Sequence, residues 1–151
     1  MKETKVSPEL IRLLNQALEL EHSAYVQYLS HAEIVDGENA EPIIERLKEI
    51  AGDEAKHQEI FRTLIGDYLG GVPTTGIAPT HEAKTIDEIL RANLDDEILA
   101  IDTYGKILDK IREEKDNLPY AFLRLEHDVR HIIMDEQEHA SELRRLLKLG
   151  P

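Results

Sequence analysis

Cysteine and tryptophan are absent from this 151-residue chain, and aromatic residues make up only 5% of it. Without cysteine there is no disulfide, no thiolate zinc site and no cysteine-held iron–sulfur cluster. No apolar run approaches the ~18 residues that span a bilayer. The opening MKETKVSPEL lacks the apolar stretch of a signal peptide. These absences lead us to expect a cytoplasmic protein with no membrane partner. Basic charge is scarce too: 18 Lys and Arg stand against 31 Asp and Glu, a net charge of −13. Such a surface repels nucleic acid and anionic lipid and attracts cations.

What is abundant is the vocabulary of helices: Leu, Ile, Glu, Lys and Ala. Apolar residues recur at helical spacing in four long segments, about 8–35, 41–68, 86–114 and 119–149. Ser7-Pro8 opens the first with an N-cap and a proline at the first helical position. Thr85 caps the third. DGEN at 36–39 and KDNLP at 115–119 are short turns, so each flanking pair should form an antiparallel hairpin. The segment 69–85 includes GGVPTTGIAPT and reads as a long loop without the strand-to-helix setting of a phosphate site. The expectation is an all-α protein with one domain over 1–151, a four-helix bundle of two antiparallel hairpins joined by a long crossover.

Each helix carries a glutamate inside its apolar stripe. The sevens run Leu14, Glu21, Tyr28, Val35; Leu47, Glu54, Phe61; Leu90, Glu97, Tyr104, Ile111; and Val129, Glu136, Leu143. Residues seven apart share a face to within about 20°. His57 follows Glu54 by three residues, and His139 follows Glu136 by three, so both imidazoles lie beside the stripe. The midpoint of Glu21 and Glu54 is 37.5, and that of Glu97 and Glu136 is 116.5, each inside a turn. Each hairpin thus brings its two carboxylates to one height. Four unpaired buried carboxylates would be costly. Two divalent cations balance them, and neutral imidazole completes a nitrogen and oxygen set suited to iron, manganese or zinc.

Glu-x-x-His occurs three times, but Glu19 and His22 fall off the stripe. The other two are both Asp-Glu-x-x-His. Asp53 and Asp135 are placed to accept the outer N–H of a metal-bound histidine, Asp53 from His139 and Asp135 from His57. His127 and His131 share a helix face pointing away from Glu136 and read as solvated, as do His22, His31 and His81.

The chain resembles the ferritin-like di-iron carboxylate superfamily, with a Glu from two helices and Glu-x-x-His from the other two. The closest likeness is to bacterioferritin, carried by LNQALELEHSAYVQYLSHA (14–32) and DEAKH (53–57). The resemblance implies Glu21 and Glu97 as terminal ligands, Glu54 and Glu136 as bridges, and His57 and His139 on one metal each. It implies Tyr28 near the metals in a redox or supporting role, with Tyr104 as its counterpart in the internal repeat. It implies two iron ions per chain, with manganese or zinc as other occupants, and ferroxidase activity on Fe(II) with dioxygen or hydrogen peroxide, in iron storage or detoxification. It also implies a homo-oligomer, at least a dimer.

Two departures stand out. The position after Glu54, a haem-ligating methionine in bacterioferritin, is Ala55, so no haem is expected. The sequence given ends at KLGP, without the fifth helix of ferritin cages. A rubrerythrin-like di-metal peroxidase and a non-redox zinc or manganese bundle share the same six ligands. The first usually has a glutamate where this chain has Leu94.

Overall fold

The structure, a computed structural model, describes residues 5–149. Gly150 and Pro151, on which the expected lack of a fifth helix partly rests, lie outside that range. Four long helices make up the molecule: α1 (Pro8–Ala32), α2 (Ala40–Thr63), α3 (Ile86–Glu113) and α4 (Phe122–Leu146). Among the described residues there is no strand. Ser7 and Thr85 cap α1 and α3, their hydroxyls accepting from Leu10 N and Glu88 N at 3.1 Å each.

The helix ends differ from the sequence reading for local reasons. α1 stops at Ala32 because Glu33 N and Ile34 N turn back to Ser30 O and His31 O. Regular α2 ends at Thr63, and its last turn, Leu64–Tyr68, widens into a π-helix closed by Leu69 N on Leu64 O. α4 starts at Phe122: Leu118, before Pro119, sits outside the helical region at φ −124°, ψ 53°, and residues 119–121 form a turn closed by Phe122 N on Leu118 O. At the far end Lys148, at φ 60°, closes α4 with Leu149 N on Arg144 O and Lys148 N on Arg145 O, a Schellman cap.

α1 pairs with α2 and α3 with α4, and α1 also packs on α3. The segment 69–85 then climbs α1 rung by rung. Asn15 accepts from Thr74 N, Glu19 from the Thr74 hydroxyl, and Gln27 from His81 N, at 2.8, 2.6 and 2.6 Å. Ser23 donates to Pro79 O, and the His31 ring to His81 O. The crossover therefore delivers α3 at the far end of α1, so α3 runs antiparallel to α1 and parallel to α2. Two glycines fit it to the helices. A Cβ at Gly71 would sit 2.8 Å from the Ile11 Cδ1, and one at Gly76 would collide with the Glu19 carboxylate.

Every residue of the four stripes of sevens is buried. The apolar core is nonetheless not continuous. One cluster, with Leu10, Leu14, Phe61, Ile107, Ile111 and Leu125, fills the end nearer the start of α1. The other end holds Tyr28, Leu47, Ile50 and Ile89, beside Leu90, Leu94 and Leu143. Glu21, Glu54, Glu97 and Glu136 lie between.

Candidate metal centre

The six side chains singled out by stripe and spacing come from all four helices and converge at mid-bundle. Glu21, Glu54, His57, Glu97, Glu136 and His139 are each 2% exposed or less. They form two overlapping groups: Glu21, Glu54, His57 and Glu136, and Glu54, Glu97, Glu136 and His139. Within each group, ligand atoms lie within 4.8 Å of one another. Glu54 and Glu136 belong to both.

The hydrogen bonding of this cluster is lopsided. His57 Nε2 donates to Asp135 Oδ2 and His139 Nε2 to Asp53 Oδ2, both at 2.9 Å. Each aspartate thus serves a histidine of the other hairpin. That makes Nε2 the outward N–H donor and turns each Nδ1 inward, where it can ligate once a cation displaces its proton. His57 Nδ1 lies 3.0 Å from Glu136 Oε1, 3.3 Å from Glu54 Oε1 and 3.5 Å from Glu21 Oε1. His139 Nδ1 lies 3.5–3.6 Å from oxygens of Glu54, Glu136 and Glu97. Glu21 and Glu97 are each held by a tyrosine: Tyr28 donates to Glu97 Oε1 at 2.7 Å, and Tyr104 to Glu21 Oε1 at 2.8 Å.

What remains is one unpartnered buried atom on each of the six: Glu21 Oε2, Glu54 Oε1, His57 Nδ1, Glu97 Oε2, Glu136 Oε1 and His139 Nδ1. Buried polar atoms are overwhelmingly satisfied. Six orphans aimed into one space, all of them good ligands for a divalent cation of the iron, manganese or zinc type, fit a pair of such ions. The charge fits too, four carboxylates against two divalent ions.

Taken among themselves, these six groups are electrostatically frustrated. Burial, then the neighbouring carboxylate charges, push the Glu54 and Glu97 carboxyls well above their usual range, and Glu21 is raised for the same reasons. Glu136 goes the other way: burial opposes its charge, but both imidazoles approach it and hold it low. Burial works against charge on His139 as well, yet Glu136 and Glu97 lift it to about 11; His57 is raised further, by Glu136, Glu21 and Glu54 against its burial. Both tyrosines are pushed up by burial and by the carboxylates, so they stay protonated and donate.

The off-stripe pair Glu19 and His22 ties down the crossover instead. Glu19 accepts from Thr74, and the His22 ring meets Gly76 O at 2.7 Å. His127 and His131 are exposed, their rings stacked at 4.1 Å. His31 corrects the sequence reading: expected on a solvated face, it is only 4% exposed. It joins a buried network in which Gln27 donates to Asn93 and Asp96, and Asn93 donates to His31. The crossover and α3 both cover that side of α1. A signal for this was present in the polar residues spaced by four along α1: Asn15, Glu19, Ser23, Gln27 and His31.

Residues 11–151 match the family model described as the ferritin-like domain. A bacterioferritin of Desulfovibrio desulfuricans is 30% identical over 134 residues, covering 87% of this chain and 70% of that protein. A probable bacterial non-heme ferritin-like protein of Haemophilus influenzae is 26% identical over 146 residues, covering 96% and 87%. Among solved structures, a ferritin-like, diiron-carboxylate protein of Bacillus anthracis superposes with a TM-score of 0.86 at 28% identity, covering 94% of this chain and 99% of that one. The bacterioferritin of Mycobacterium tuberculosis does so at 0.81 and 25% identity, covering 96% and 87%.

Proposed function

The chain belongs to the ferritin-like domain family, and from that premise we propose that it binds two iron ions per chain and oxidises Fe(II) to Fe(III) with dioxygen or hydrogen peroxide. The observation that carries this reading is the set of six orphaned, inward-facing ligand atoms. Glu21 and His57 hold one ion and Glu97 and His139 the other. Glu54 and Glu136 are shared, as their membership of both groups suggests. No haem enters the reading, since Ala55 offers no donor.

Bound there as substrate, two Fe(II) ions supply one electron each; dioxygen takes the pair with two protons and leaves as hydrogen peroxide, or hydrogen peroxide takes it with two protons and leaves as two waters. The side chains hold and neutralise. Asp53 and Asp135 keep the two imidazoles turned inward. Tyr28 and Tyr104 each occupy one oxygen of a terminal glutamate and leave the other free. Tyr28 thereby acts through Glu97, and no redox step is assigned to it.

We read residues 1–151 as one domain working in the cytoplasm as a homo-oligomer, at least a dimer, in iron storage or detoxification. Exposed Val26, Ile34 and Ile77 offer apolar surface for such contacts. Among the described residues no helix is long and apolar enough to cross a membrane.

The test is anaerobic titration with Fe(II), expected to saturate at two ions per chain, followed by oxidant. Dioxygen uptake with ferric product supports the ferroxidase. Oxidation by peroxide far faster than by dioxygen, with no ferric product beyond two ions per chain, replaces it with a peroxidase. Binding without any oxidant consumption replaces it with a non-redox metal site.

A further inference from the structure

The centre has two flanks of different chemistry. On the α2/α4 flank stand Asp53 and Asp135, 41% and 55% exposed. On the α1/α3 flank, beneath the crossover, lies a cavity of about 200 Å³. Its inner wall includes Glu54, Glu97 and Glu136, three of the four glutamates that carry orphaned oxygens. Its outer wall includes Pro79 and Leu99, both exposed. The cavity therefore links the surface to the space between the ligands.

Its exposed lining is mostly hydrocarbon, with Leu20, Ala24, Ala78 and Ala100 contributing. Away from those glutamates, polar groups on the wall are already engaged. Ser23 donates to Pro79 O, and Asn93 donates to His31 and to Ile89 O. Asp96, the carboxylate nearest the mouth, accepts from Gln27 at 2.7 Å and meets the His81 ring at 3.2 Å. A hydrated divalent cation would shed water there with little in return. Dioxygen loses almost nothing, and hydrogen peroxide, being uncharged, loses far less than the cation. The volume is ample, since a water molecule occupies about 30 Å³ of liquid.

We propose that the α1/α3 cavity is the route by which the neutral oxidant, dioxygen or hydrogen peroxide, reaches the centre, and that Ala24, Ala78 and Ala100 set its bore. This rests on the ferroxidase reading above. It assigns the crossover a task beyond connecting α2 to α3: its Ala78 and Pro79 form one wall of the passage.

The experiment narrows the passage from two independent elements, with Ala24→Leu on α1 and Ala78→Leu on the crossover. Co(II) serves as an anaerobic optical probe of loading. The expected result is Co(II) binding with unchanged stoichiometry and rate, but oxidation of preloaded Fe(II) slowed roughly tenfold. The slowing should be greater for tert-butyl hydroperoxide than for hydrogen peroxide. A readout free of turnover is xenon: crystals of the wild-type protein under pressure should hold it between Ala24 and Ala100, and Ala24→Leu should exclude it. Oxidation at the wild-type rate in both variants overturns the route alone. Co(II) loading slowed in parallel with oxidation also overturns it, since the cavity would then carry the cation. A wild-type protein that binds Co(II) but consumes no oxidant removes the ferroxidase reading, and the route with it.

Discussion

Asp135 Oδ2 accepts a hydrogen bond from His57 Nε2 at 2.9 Å, although the two residues lie in different hairpins. The mirror contact, Asp53 with His139, has the same length. Each hairpin therefore orients the other's imidazole. A metal site built this way forms only when the two hairpins are docked.

The crossed pairing is testable by double-mutant cycles. Asp135→Asn and Asp53→Asn should each lower Co(II) affinity by about 10- to 100-fold, the usual cost of losing a partner behind a metal-bound histidine. Asp135→Asn combined with His57→Ala should lose little more than His57→Ala alone, whereas Asp135→Asn with His139→Ala should lose more than either. Equal additivity in both combinations would contradict the crossed arrangement.

Glu54→Ala removes a carboxylate common to both ligand groups. Anaerobic Fe(II) at about 100 times its dissociation constant should stabilise the wild-type protein by about 2.7 kcal/mol for each ion bound, seen as a rise in Tm. The variant should lose most of that rise. In the metal-free state the variant should gain on wild type as pH rises, because the buried carboxyl that must then ionise has gone.

The metal-free protein should lose stability as pH rises. Glu21, Glu54 and Glu97 have folded-state pKa values raised above their ordinary 4.5, so the native state binds more protons than the unfolded chain once pH exceeds that value. His57 and His139 are raised above 6.5, and their stabilising contribution is complete below that value and lost as pH climbs, for His139 toward about 11. Glu136, shifted downward, contributes stability above 4.5 that is lost only on acidification, outside this range. Between pH 5 and 8 the Tm of chelator-treated protein should therefore fall, and Fe(II) under argon should flatten the trend.

Tyr104→Phe should cost about 1–3 kcal/mol, since it leaves the buried Glu21 Oε1 without its donor. Urea denaturation of the metal-free protein measures this. Tyr28→Phe tests the same point at Glu97, and a pair of unequal losses would show how far the internal repeat departs from symmetry.

Gly76→Ala should loosen the crossover, because the added Cβ meets the Glu19 carboxylate that also accepts from Thr74. A loss of about 1–3 kcal/mol is expected. Limited proteolysis within 70–80 should speed up while the helices stay intact.

Much of this was legible because helices are periodic. A glutamate at every stripe centre and turns at 36–39 and 115–119 place the two carboxylates of each hairpin at one height without reference to any contact. What the periodicity could not show is where a non-helical segment lies. The crossover's path along α1 decides that His31 is buried, that Glu19 and His22 serve as anchors, and that a cavity remains against α3. Those depend on single hydrogen bonds between residues some 50 to 60 positions apart. Helix ends at Ala32 and Phe122 likewise follow from individual backbone bonds in the adjoining turns.

The discontinuous core carries a consequence for how the molecule opens. Two oily compartments separated by a plane of mutually repelling carboxylates communicate weakly, so amide exchange in the metal-free bundle should proceed in two separate blocks, one for each compartment. Ions seated in that plane would draw on all four helices at once and weld the blocks into a single cooperative unit.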